Sequence, residues 1–279
     1  MRKFLLLFAL AVPAAAFAQE TVDEGLSFSA RATVEVDAKL AKGLHLTAHE
    51  EFRRYFDSED VMRSYSGIGL EYKVTSFLKV GAEYEFIERC KFDSEAKANE
   101  WTPRHRGQFF ATGTLQASDW QFGLKETFRM TGRTDDVNLY QSPKTALALK
   151  SKFSVKYRGW GKTIPYVALE MRNALNDASY SATYNPSAEK NKDRYTDEVF
   201  LGYRHAYADR YRVQAGVTVK FSKAHELDFY LIGDHYNKKE IDTNREGSDS
   251  WKEHGLVLKS ITWHTGNQIS AGIAYKWSF

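Results

Sequence analysis

Beyond residue 18 the sequence has no run of 18 apolar residues, and its mean hydropathy is −0.52, so it holds no candidate for a membrane-spanning helix. It has a single cysteine, Cys90, which excludes an intramolecular disulfide; in an expected loop, that lone thiol is read as unremarkable. Charge of one sign is missing as well. Lys and Arg number 39 against 36 Asp and Glu, and removing Arg2 and Lys3 with a leader leaves 37 against 36. A balance near zero, scattered without basic or acidic blocks, argues against nucleic acid as a partner.

What is present begins at the first residues. Arg2 and Lys3 precede an apolar run over residues 4–12 and a small-residue end, Ala16-Phe17-Ala18. This is the layout of a secretory signal peptide, too short in its apolar part to span a bilayer, with cleavage expected between Ala18 and Gln19. No cysteine stands near that point, which argues against a lipoprotein leader. Residues 1–18 are therefore expected to be the signal peptide and residues 19–279 a single β-barrel domain.

The mature sequence alternates with period two. Leu26, Phe28, Ala30, Ala32, Val34, Val36, Ala38 and Leu40 share one parity, while Ser27, Ser29, Arg31, Thr33, Glu35, Asp37 and Lys39 share the other. Side chains on a strand point alternately to opposite faces, so one face is apolar and the other polar over fifteen residues. An ordinary strand runs about five or six residues, whereas a tilted membrane strand needs about 9 to 11. The same pattern recurs around Val80, Phe122, Val155 and Val217. Glu50 and Glu126 break it on the apolar parity and are expected near an interface, where a carboxylate costs little.

Short connectors at residues 41–43, 75–76, 118–119 and 158–162 read as tight turns, and polar stretches at 91–103, 132–144, 173–193 and 239–252 as long loops. Short turns at one end and long loops at the other are the layout of an outer-membrane barrel. Aromatics make up 14% of the chain, and Trp120, Tyr157, Phe221 and Tyr275 sit at stripe ends, as interfacial girdles require. The chain closes on Gly272, Tyr275, Trp277 and Phe279, an alternating aromatic strand that resembles the signal read by the outer-membrane assembly machinery. Strands are expected to start near Leu26, Leu44, Met62, Phe77, Arg104, Trp120, Thr145, Thr163, Tyr195, Arg210, His225, Gly255 and Asn267. Bacterial single-chain barrels favour an even number, so the expectation is an all-β, transmembrane, antiparallel up-and-down β-barrel of about twelve strands, with ten to fourteen possible.

Residues 34–46 (VEVDAKLAKGLHL), 69–84 (GLEYKVTSFLKVGAEY), 150–166, 210–229 and 272–279 together resemble an uncharacterised family of Bacteroidota outer-membrane barrels, a domain of unknown function. The resemblance covers nearly all of the mature chain and implies fold and location; it brings no catalytic residues. Extra material between Asn173 and Asp209 sets this chain apart from the family pattern.

Reactive motifs are scarce. Lipid-cleaving barrels carry His-x-Ser, and here His45-Leu46-Thr47, His49-Glu50-Glu51, His105-Arg106-Gly107 and His264-Thr265-Gly266 all lack the serine. A lipid hydrolase is thus only an alternative, and no catalytic, cofactor or metal residue is assigned. His45, His49 and Glu51 share a strand face, but residues two apart on a strand stand roughly 7 Å apart, too far to ligate one metal unaided. The inward parity collects Glu35, Asp37, Glu51, Arg53, Glu83, Glu85, Arg104, Arg106, Lys125, Arg129, Lys150, Lys152 and Arg212, acidic early and basic in the middle. Such a lining either orients a polar solute in a pore or pairs across the lumen and closes it. The functional expectation is a structural barrel or narrow, porin-like pore in the outer membrane of a Gram-negative bacterium, not an enzyme. Lipid, lipopolysaccharide and the assembly machinery are its expected partners. Surface binding through the long loops is the other alternative. Boiling should shift the protein's mobility on a denaturing gel, as closed barrels resist detergent; identical mobility before and after would argue against the fold.

Overall fold

The computed structural model describes residues 20–56, 60–93, 98–185, 187, 195–243 and 257–279; the expected signal peptide over residues 1–18 and the expected cleavage point between Ala18 and Gln19 lie outside them. Among these residues the chain forms eleven strands and no helix. They are β1 (Glu20–Ala41), β2 (Leu44–Tyr55), β3 (Asp60–Lys73), β4 (Leu78–Asp93), β5 (Ala98–Ala117), β6 (Trp120–Arg133), β7 (Thr145–Tyr157), β8 (Thr163–Tyr184), β9 (Tyr195–Lys220), β10 (His225–Thr243) and β11 (Leu258–Ser278). Successive strands pair antiparallel, and β1 closes the barrel against β11. That closing pair is parallel, from Glu20 beside Thr262 to Asp37 beside Ser278. The last residue is pinned to β1: Phe279 N donates to the Asp37 carbonyl at 3.0 Å, and Lys39 N donates to the Phe279 carbonyl at 2.8 Å.

Eleven falls inside the expected range but is odd. The starts expected at Tyr195 and Arg210 belong to one strand, β9. No turn separates them, because Asp209 is taken into a register shift and chelated by Arg172 through Nε at 2.7 Å and Nη2 at 2.6 Å. The start expected near Gly255 lies outside the described residues, and β11, described from Leu258, runs unbroken through the start expected at Asn267. The count among the described residues is therefore odd, and an odd count leaves first and last strands parallel. The expected loops are shorter for the same reason: β8 runs to Tyr184, β10 to Thr243, and β4 and β5 consume most of residues 91–103. Cys90 accordingly lies buried within β4 and not in a loop. The described residues between Asn173 and Asp209 form mainly the outer halves of β8 and β9. These carry four further register shifts and pack Tyr180, Phe200 and Tyr203 around buried Ala178, Ile241 and Leu258.

Exposure runs opposite to that of a water-soluble protein. Leu231 is 61% exposed, Phe109 56% and Val213 52%, while Asp234, Glu85 and Glu170 are 5%, 6% and 7% exposed. The apolar parity faces out and the ionic parity faces in. A rim of aromatics marks the turn end, where Trp120, Tyr157 and Trp160 pack together and His225, Tyr275, Trp277 and Phe279 form a second stack. Glu50 and Glu126 are outward but lie at mid-strand and not near a rim. Each sits opposite a serine of the next strand, Ser66 and Ser151, and Ser151 Oγ donates to Glu126 at 2.6 Å. A neighbouring hydroxyl, rather than solvent, meets that carboxylate.

Inside the barrel, aromatic rings lie across glycines of the adjacent strand, as Phe110 does over Gly81, Tyr166 over Gly216 and Tyr230 over Gly272. The missing side chain gives each ring room to lie along the wall instead of projecting into the lumen. At Gly81 an added Cβ would stand 2.3 Å from the Phe110 ring and 2.6 Å from the Leu70 carbonyl, a backbone atom that cannot step aside. Gly81→Ala should therefore cost about 1–3 kcal/mol in denaturant unfolding of the refolded barrel. Gly107→Ala, whose nearest neighbour would be Met130 at 3.7 Å, should change it by less than about 0.5 kcal/mol.

Candidate functional site

The polar interior is the one continuous surface on which the charged side chains of all parts of the sheet meet. At its turn end Lys276 bridges Glu35 at 2.6 Å and Asp37 at 3.0 Å, and Asp37 also holds His45 at 2.8 Å. Lys79 pairs with Glu71 and Lys220 with Glu226 at the same end.

The middle of the lumen is organised around carboxylates that each serve two cations. Asp234 on β10 accepts from Arg212 of β9 at 2.6 Å and lies 3.5 Å from Arg31, reaching past β11 to β1. Glu170 on β8 takes Lys150 of β7 at 2.9 Å and Arg212 at 3.8 Å. The result is a chain of ion pairs running through five strands. On the opposite wall Glu85 binds Arg106 at 2.8 Å, and Gln108 donates to Glu83 at 2.7 Å while accepting from Arg129 at 2.8 Å. Arg53 is paired with Glu51 and stacked on the Tyr65 ring at 4.1 Å. Lys125 lies over the Phe110 ring at 4.0 Å. Lys152 donates to Gln214 at 3.0 Å, and Gln214 continues through Tyr166 to Asp228. Removing water from an ion costs several kcal/mol, which this sharing of carboxylates offsets.

The acidic and basic sectors expected from the sequence interleave where it matters. Glu170 and Asp234, the two acids that hold Arg212 and Lys150, were not on the expected lining. The signal was available, since both continue the inward parity of β8 and β10. His49 shows what parity alone does not reveal. Its ring reaches over β3 to within 3.8 Å of Glu83 and 3.5 Å of Glu85 on β4, because Gly67 lies between; a Cβ there would stand 2.1 Å from the imidazole. His45, His49 and Glu51 thus part company: they serve Asp37, the Glu83–Glu85 pair and Arg53 respectively.

Ligand atoms of His49, Glu83 and Glu85 all fall within 4.8 Å of one another, a spacing open to a metal ion. The donor set does not fit one well. Glu85 is committed to Arg106 and Glu83 to Gln108, and Arg129 and Lys125 bring positive charge to the same wall. His264 is held between Glu24 at 3.0 Å and Glu240 at 2.8 Å, with no serine in the His-x-Ser position. The closing aromatics are placed on the outer rim, with Gly272 inside beneath Tyr230.

A closed sheet with an oily exterior and an ion-paired interior defines a β-barrel protein. The chain belongs to the family described as protein of unknown function (DUF2490), whose model matches residues 32–245 and so runs through the region between Asn173 and Asp209. Comparison with curated proteins finds no match.

Glu170→Gln would leave Lys150 and Arg212 sharing one fewer carboxylate at a site where the Glu170 side chain is 5% exposed. Equilibrium unfolding should show a loss of about 3–5 kcal/mol. Lys79→Gln, at a pair whose lysine is 45% exposed, should cost under about 1 kcal/mol.

Proposed function

We propose that this protein sits in the outer membrane of a Gram-negative bacterium, as a structural barrel or a narrow pore for small polar solutes. The inverted exposure carries the reading: outward Leu231, Phe109 and Val213 would be costly against water and are at home against lipid tails. In this reading residues 1–18 direct export, and Gly272, Tyr275, Trp277 and Phe279 present the closing strand to the assembly machinery. Lipid and lipopolysaccharide then surround the apolar stripes, and the aromatic rim of Trp120, Trp160 and Trp277 lies at the periplasmic interface.

The shared-carboxylate chain from Arg31 through Asp234, Arg212 and Glu170 to Lys150 favours a closed or narrow lumen over a wide aqueous channel. No catalytic role is proposed for His264, and the aromatics Tyr180, Phe200 and Tyr203 in the outer halves of β8 and β9 pack one another.

Reconstituted in planar bilayers, the full chain should conduct weakly or not at all. Removing a matched pair with Lys150→Ala and Glu170→Ala together should raise conductance several-fold. Wide, unitary porin-like currents from the unaltered protein would overturn the narrow-lumen reading, and a freely water-soluble monomer without amphiphile would overturn the membrane reading.

A further inference from the structure

Toward the loop end the interior changes character. Three pairs of arginines stand side by side on neighbouring strands: Arg63 beside Arg89 across β3 and β4, Arg104 beside Arg133 across β5 and β6, and Arg172 beside Arg210 across β8 and β9. All lie on the inward parity. Like charges directly opposite one another weaken a sheet, so stability alone would select against this arrangement once, and it occurs repeatedly here.

Among the described residues, Arg63 and Arg89 are engaged, and the remaining cations of this level are only partly compensated. Asp209 is chelated by Arg172, and Glu24 is engaged by His264 and Tyr236. Asp135 lies in the field of Arg104, which is otherwise repelled by Arg133, Arg89 and Arg63. Among the described residues Arg104, Arg133, Arg210 and Lys238 form no ion pair. Two of these present a second sign of vacancy: Nε of Arg104 and Nε of Arg210 are buried and have no hydrogen-bond partner. Lys238 of β10 lies in the field of Arg210, Arg63 and Arg172, opposed by Glu24. At mid-barrel Asp234 and Glu170 each serve two cations; here, among the described residues, Arg104, Arg133, Arg210 and Lys238 have no ion-paired carboxylate, and Arg104 and Arg210 keep an open Nε each.

We propose that the loop-side end of the lumen binds a small multivalent oxyanion of the phosphate or sulfate class. Planar guanidinium groups match such tetrahedral anions through paired N–H donors, and a partly desolvated setting strengthens each contact. The inference needs only the closed sheet and stands apart from whether the barrel conducts.

The test uses the full chain refolded in neutral detergent, titrated calorimetrically with inorganic phosphate and pyrophosphate, with sodium chloride at matched ionic strength as reference. Saturable binding is expected, tighter for pyrophosphate. Arg104→Gln and Arg210→Gln should each weaken it about tenfold or more, the loss of one charge-assisted contact. Arg104→Lys and Arg210→Lys should retain part of it, and Lys79→Gln at the opposite mouth should leave it unchanged. Without added anion, Arg104→Gln should melt at a higher temperature than the unaltered protein, because a like-charge pair is relieved. Phosphate effects no larger than those of chloride, or equal in the unaltered protein and both Gln variants, would overturn the proposal. Because binding is read without a bilayer, its failure would leave the membrane reading untouched.

Discussion

Charge enclosed within a closed sheet has to find its counter-charge on the same wall or the facing one, and this constraint shapes the interior. Asp234 and Glu170 each meet two cations, Lys276 meets two acids, and Gln108 mediates between Glu83 and Arg129. Small residues make those meetings possible. Without Gly67 the imidazole of His49 could not pass over β3, and without Gly216 the Tyr166 ring could not lie along the wall between Gln214 and Asp228. The glycines of the inner face are therefore part of the electrostatics as much as of the packing.

The same constraint explains why departures from pairing carry information. In the middle of the barrel the like-charged neighbours Arg31 and Arg53, and Lys125 and Lys152, each have an acid or an amide to meet, whereas toward the loop end Arg104 stands beside Arg133 and Arg172 beside Arg210. Shared carboxylates bind the cations of the middle level, where Arg31 still keeps one open Nε; among the described residues Arg104 and Arg210 have open donors and no ion pair, which distinguishes a sealing layer from a receptive one.

Much of this was legible in the sequence, because a two-residue period held over fifteen positions from Leu26 to Leu40 is out of step with a helix and too long for an ordinary soluble strand. The direction of the faces followed from aromatic stripe ends such as Trp120 and Tyr275. Strand boundaries were less legible where polarity mimics a turn: Asp209 looks like a loop residue and is instead a register shift satisfied by Arg172. The mid-strand positions of Glu50 and Glu126 depend on serines that parity places on a different strand, which a linear reading cannot align. Cross-lumen partners such as Arg31 with Asp234, over 200 residues apart, require the closed ring before they exist at all.

The parallel contact between β1 and β11 places Glu20 at the loop end and Phe279 at the turn end. In an even-stranded barrel the two extremities are neighbours, and a few added residues can join them while the ring is opened elsewhere. Here the first and last described strands run the same way, so a segment joining Glu20 to Phe279 would have to travel the full height of the wall, through the charged bore or down the greasy exterior.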